Sequence, residues 1–204
     1  MQRQIIISLF AAVSLNACAA QSLGDANVWY GNHNGVAPKN TKIYICHGFG
    51  CAYKTPVRLS SGDLSKLEDI LSAGKDSPAA ERQTIAKAVQ WQEIRVASEA
   101  GSHNDVGGFD MGNAGKRGQM DCIDESTNTN SLLLMAQKHG LLHHHKVSSP
   151  VARGFFLDGR YPHATATITE KTTGNAYAVD SWVRANGEKP NVIPIEEWFA
   201  RRQG

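Results

Sequence analysis

Three side chains in this sequence, Cys122, His163 and Asp180, are of the types that supply a sulfur nucleophile, its base and the group that orients the base. Counting cysteines singles out the first. Four are encoded, and Cys18 lies in an N-terminal leader whose cleavage or acylation removes it as a thiol. Cys46 and Cys51 bracket His47-Gly48-Phe49-Gly50, where two glycines give the backbone freedom to bring both sulfurs within bonding distance. A Cys46–Cys51 disulfide is therefore expected. The alternative is a redox couple, although the spacing differs from the Cys-x-x-Cys spacing of thioredoxin-like motifs. Cys122 remains as the free thiol.

The neighbours of Cys122 suit it to chemistry. Asp121 is a helix cap by type, which puts Cys122 in a first helical turn, where free amides and the helix dipole favour a thiolate. Asp124 and Glu125 oppose this, so an imidazolium nearby has to matter more. Such a thiolate attacks an acyl carbon and passes through a thioester. The Cys122 N–H and one more donor would stabilise the oxyanion, and Gln119 is the candidate for that second donor.

His163 and Asp180 fall on two strands read at residues 163–169 and 175–183, joined by the turn signal Lys171-Thr172-Thr173-Gly174-Asn175. With Thr172 and Thr173 as the central pair, His163 faces Trp182 and Asp180 faces Thr165. The two then become diagonal neighbours about 7–8 Å apart along the backbone, within reach of a side-chain hydrogen bond. That bond would set the tautomer and aim the other ring nitrogen at a nucleophile.

The elements that must hold these residues are legible in part. Arg3, the apolar run 5–13 and the small residues Ala17 to Ala20 have the anatomy of a secretory signal over residues 1–20. Leu15-Asn16-Ala17-Cys18 also resembles a lipobox, so lipidation of Cys18 is an alternative to simple cleavage. It would tether the chain to an outer membrane, and the expected location is periplasmic or secreted. Residues 21–40, rich in Gly, Asn and Pro, read as a flexible arm, and residues 41–204 as one domain. Within it, 42–46 reads as a strand and 61–72 as a helix, with Ser60 and Asp63 in capping-box relation. Residues 78–100 read as a long helix capped by Ser77, with Pro78 in its first position and Gly101 at its end.

Residues 101–120 hold six glycines and no apolar period, and read as a long loop leading into the Cys122 helix. That helix has the weak formers Thr127 to Asn130 in its first half and stops at Gly140. Further strands are read at 143–148 and 153–157.

Composition narrows the function classes. The 204 residues carry 21 Lys plus Arg against 19 Asp plus Glu, and the basic residues do not cluster, so no nucleic-acid partner is expected. His139, His143, His144 and His145 invite a metal site, but strand geometry splits them between two faces and no spaced carboxylate or thiolate completes a set. No metal and no cofactor are expected. His47, Trp91, Trp182 and Trp198 read as packing residues and Glu93 as a surface carboxylate.

Gln119-Met120-Asp121-Cys122, Pro162-His163-Ala164 and Val179-Asp180-Ser181-Trp182 resemble the three motifs of the transglutaminase-like branch of papain-type cysteine hydrolases, over roughly residues 78–183. Ile123 departs from the aromatic many members have after the cysteine, and the polar run 124–130 is unusual for its helix. The resemblance implies an α+β fold in which N-terminal helices, the Cys-bearing helix among them, pack on a small antiparallel sheet carrying His and Asp. It implies Cys122 as nucleophile, His163 as base and Asp180 as orienter, acting on an amide or peptide bond of a peptide or protein substrate. An acyl transferase would use the same triad, and a catalytically silent binding or assembly protein could be built on the same scaffold.

Overall fold

The computed structural model describes residues 25–154 and 162–201. The expected leader with Cys18 lies outside them, as do residues 155–157 of an expected strand. The fold is α+β, with two small antiparallel sheets and helices packed on them. Among the described residues no helix is long and apolar enough to cross a membrane.

Where local signals were strong, the elements begin and end as read. Helix α2, Ser61–Ser72, starts with a complete capping box between Ser60 and Asp63. Helix α3, Pro78–Ala100, is capped by the Ser77 hydroxyl and ends at Gly101 in the left-handed conformation. The Cys-bearing helix α4, Cys122–Lys138, is capped by Asp121, whose carboxylate accepts the amides of Ile123 and Asp124. Its weak helix formers are buried, and each finds a partner outside the helix ladder. Asn128 accepts the Cys46 N–H at 2.7 Å and donates to the Cys46 carbonyl at 2.9 Å. Asn130 and Ser131 bond the Tyr30 hydroxyl. Tertiary bonds thus hold a segment that intrinsic propensity would not.

Strands β1, Lys42–His47, and β2, Tyr53–Arg58, form a two-stranded sheet. The second sheet has the order β3-β4-β5-β6: His145–Arg153, His163–Glu170, Ala176–Asp180 and Asn191–Pro194, all antiparallel. Ala166 pairs with Val179 and Thr167 with Ala178, the register expected from the Thr172-Thr173 turn. All of β4 is buried. Ala166 and Ile168 join Leu132 and Leu133 of α4 in the main core, while Ala178 packs with Val151 and Trp198 in a second cluster. The pleat puts these on opposite faces, so β4 is covered on both.

Two expectations need correction. Residues 21–40 are not a loose arm throughout: helix α1, Ala26–Asn32, is capped by Asp25 and buries Ala26, Trp29 and Tyr30. The strand expected at 143–148 starts and ends later, as β3, His145–Arg153, while residues 155–157 of the strand expected at 153–157 lie outside the described residues. The β3 register shifts between Ser148 and Val151, because Pro150 offers no N–H and an edge strand tolerates it in a bulge. Asn191–Pro194 and the short helix α5, Ile195–Ala200, had no assignment, and together they close the sheet edge beside Asp180.

Candidate active site

Asp180 ends β5 and His163 begins β4, so the hairpin register delivers both to one end of the sheet. His163 Nε2 and Asp180 Oδ2 lie 2.8 Å apart, both side chains buried. A carboxylate only accepts, so Nε2 carries the proton and Nδ1 presents a lone pair. That Nδ1 is buried and has no hydrogen-bond partner. Asp180 Oδ2 also accepts the Trp198 indole N–H at 2.9 Å. Trp198, expected to serve packing alone, is fully buried and bonds the Asp180 carboxylate directly. Tilted ring contacts to Trp182 at 4.6 Å and Trp198 at 5.3 Å clamp the imidazole between them.

Cys122 stands at the first position of α4, and its sulfur meets the backbone on either side of His163. Sγ donates to the Pro162 carbonyl at 3.9 Å, and the Ala164 and Cys122 amides lie close enough to favour its thiolate. Asp121 caps the amides of Ile123 and Asp124, not that of Cys122. Only 8 % of Cys122 is exposed. Burial pushes its thiol up to about 12, Asp121 and Asp180 push the same way, and the two amides oppose them. In this state the sulfur is covered, and its surroundings disfavour the thiolate. It packs in one cluster with Trp29, Ala164 and Trp182.

Gln119 is not brought to the sulfur. Its carboxamide donates to the Asn104 carbonyl and accepts from Asn113, inside the glycine-rich loop. The loop fixed the expectation of a nearby donor through sequence distance alone, and its own internal bonding redirects the side chain. The loop itself is bound to the site's flank: the Gly108 N–H reaches the Trp182 carbonyl at 2.6 Å. A Cβ at Gly107 would sit 2.3 Å from the Arg184 backbone carbon, so only glycine permits this approach.

Cys46 and Cys51 are joined, as expected, in a disulfide that closes a turn between β1 and β2. Gly48, Phe49, Gly50 and Cys51 all have positive φ, and a left-handed run with two non-glycine residues needs external support. The α4 N-terminus provides it. Asp124 accepts the amides of Phe49 and Cys51, and Asp121 that of Gly50. The disulfide turn and the Cys122-bearing helix therefore share one hydrogen-bond network.

A small cavity between α3 and α4 is lined in part by Glu93, Glu125, Asn128 and Asn186. Glu93 is buried, not a surface carboxylate: its Oε2 accepts the Gly187 N–H and its Oε1 has no partner. Burial, with Glu125 as a like-charged neighbour, pushes Glu93 up to about 10. Glu125 accepts the Ser181 hydroxyl at 2.6 Å, linking the turn after Cys122 to the residue after Asp180. The histidine cluster serves folding. His145 pairs with Glu81 at 2.7 Å, the amides of His143, His144 and His145 converge on the same carboxylate, and His144 bonds the Lys75 carbonyl. Among the described residues the one grouping with ligand-like spacing is Cys46, Cys51 and Asp124, whose sulfurs are already consumed in the disulfide.

No family model, no curated protein and no solved structure matches this chain.

Proposed function

We propose that the protein is an exported cysteine hydrolase of the transglutaminase-like type, cleaving an amide or peptide bond through a thioester, with Cys122, His163 and Asp180 as its triad. The observation that carries this reading is the His163–Asp180 pair at 2.8 Å, with a buried, unpartnered Nδ1 and the Cys122 sulfur lodged between the backbone groups flanking that histidine. The order of the three residues in the chain, and the helix-then-sheet placement they occupy, support the family reading. The Cys46–Cys51 disulfide and the signal-like leader support export to an oxidising compartment.

In the reaction, the Sγ proton passes to His163 Nδ1 as sulfur attacks the acyl carbon. Asp180 holds the resulting imidazolium, and the Cys122 N–H faces the oxyanion. Collapse breaks the C–N bond, and the amine leaves with the proton from Nδ1. Water, activated by the same nitrogen, then resolves the thioester to an acid and restores the thiol. A primary amine in place of water would make the enzyme an acyl transferase.

Site-resolved alkylation of Cys122 tests the reading. At neutral pH the rate in His163→Ala should fall by about 10²-fold, the scale of a lost general base, and peptide hydrolysis should disappear in Cys122→Ala. A rate indifferent to His163, with no turnover of a peptide library, would reject it. A covered sulfur in surroundings that disfavour the thiolate supports a second reading, a catalytically silent binding protein on this scaffold, and that result would select it.

A further inference from the structure

We propose that the seat now occupied by the Trp29 indole is the substrate-side pocket of the Cys122 cleft, that α1 closes it in this state, and that its occupant during turnover is an aromatic side chain of a peptide substrate. The proposal rests on the cysteine-hydrolase reading above.

A nucleophile with a mostly buried sulfur cannot meet an acyl carbon until something moves. Among the described residues clustered with Cys122, Ala164 belongs to the inner strand β4, and Trp182 makes a tilted ring contact with His163 and is bonded through its carbonyl to Gly108. Neither can leave without dismantling the triad. Trp29 is different. It comes from a seven-residue helix, too short to be stable by itself, that pairs with no strand. The segment following α1 contains Asn34 and Asn40 in the left-handed conformation, as turns require, before β1 begins. Elements of this kind lie at the low-stability end of a fold.

The seat is built to receive a ring. Trp29, itself 5 % exposed, shares one buried cluster with Cys122, Ala164 and Trp182, and partly buried Ile123 and Val183 pack against that cluster. One polar group completes it: the Thr127 hydroxyl, one helical turn beyond Ile123, accepts the indole N–H at 2.8 Å and donates to the Ile123 carbonyl. The walls thus come from α4, β4 and the segment after β5; α4 and β4 carry Cys122 and His163, and β5 ends at Asp180, two residues before Trp182. A ring entering from a substrate would be held by the elements that place sulfur, imidazole and carboxylate, bringing its adjoining carbonyl toward Sγ. The one cover among these residues that can be exchanged is already aromatic, which names the class of its replacement.

The test measures alkylation of Cys122 by iodoacetamide in the full chain, resolved from Cys18 by peptide mapping. In Trp29→Ala the rate should rise by about tenfold or more, since the cover is gone while the hydroxyl and walls remain. Free indole should slow Trp29→Ala labelling by refilling the seat and leave the wild type unaffected. Tyr30→Phe, which loses the Ser131 and Asn130 bonds and loosens α1 without emptying the seat, is the control for general destabilisation and should label more slowly than Trp29→Ala. Equal acceleration in both variants, no acceleration in either, or insensitivity to indole would each overturn the proposal. Failure of the catalytic reading looks different: loss of the His163 dependence leaves these accessibility ratios untouched.

Discussion

At the level of single residues, Trp198 changes the picture of the site most. Its indole N–H and the imidazole N–H converge on one oxygen, Asp180 Oδ2, so the carboxylate is held by two donors from different elements. Trp198→Phe keeps an aromatic ring and removes one donor. It is expected to cost about 1–3 kcal/mol in chemical denaturation, the range for a buried group losing its partner, and to lower peptide turnover without abolishing it. Asp180→Asn is the sharper case under the proposed mechanism. The amide can donate to Nε2 and so invert the tautomer, putting a proton where the sulfur's proton must go. The expected loss in kcat is of the order of 10⁴. Unchanged kcat in Asp180→Asn, with the fold intact by circular dichroism, would remove the orienting role.

At the level of elements, the N-terminus of α4 carries more than its helix. Asp124 accepts amides from Phe49 and Cys51 in the left-handed turn and from Asp121 at the cap. Asp124→Ala strands the two turn amides, so a stability loss of at least about 2–3 kcal/mol is expected from denaturant unfolding. Reducing the Cys46–Cys51 bridge, which closes a very short loop, is expected to cost about 2 kcal/mol on chain-entropy grounds. Both changes act on one turn, so their combined cost should be less than additive, and a double-perturbation cycle measures the difference. Strict additivity would show that disulfide and carboxylate hold the turn independently.

At the level of the whole molecule, four buried carboxyls lack an ion pair among the described residues. Burial raises Glu93 to about 10, Asp124 and Glu125 to about 8 and Asp105 to about 7. Each folded value lies above the unfolded one, so the native state binds more protons than the unfolded chain between those values. Their contribution is full below the ordinary carboxylate range and is lost as pH rises toward the folded values. Glu81 is the reverse case: its hydrogen bonds to His145 and to the His143 and His144 amides prevail over desolvation and lower it. Its contribution is present above its ordinary range and is lost on the acid side. His47, buried and held down by desolvation and Arg117, also weakens the fold as pH falls through the imidazole range. Glu93→Gln isolates the first effect. Its Tm advantage over wild type should be small at pH 5 and grow by pH 8.5, at about 2–4 °C per kcal/mol recovered. An advantage that shrinks with rising pH would show that Glu93 is ionised in a compensated setting.

Local grammar in the sequence was enough for much of this. Ser60 with Asp63, Ser77 with Pro78, and Gly101 set two helices, and the Thr172-Thr173 turn set the register that joins His163 to Asp180, because capping and hairpin geometry act over a few residues. The Cys46–Cys51 pairing followed from spacing for the same reason. What needed the tertiary structure were the roles that depend on distant partners. Trp29 packs in the cluster that holds Cys122, Trp198 bonds Asp180, Gln119 turns into its own loop, and Glu93 is buried against Gly187. Thr127 to Asn130 read as a weak helix because propensity counts only neighbours along the chain. Their stabilising partners, Trp29, Cys46, Tyr30 and Ser181, lie tens of residues away, and only the folded packing brings them within bonding distance.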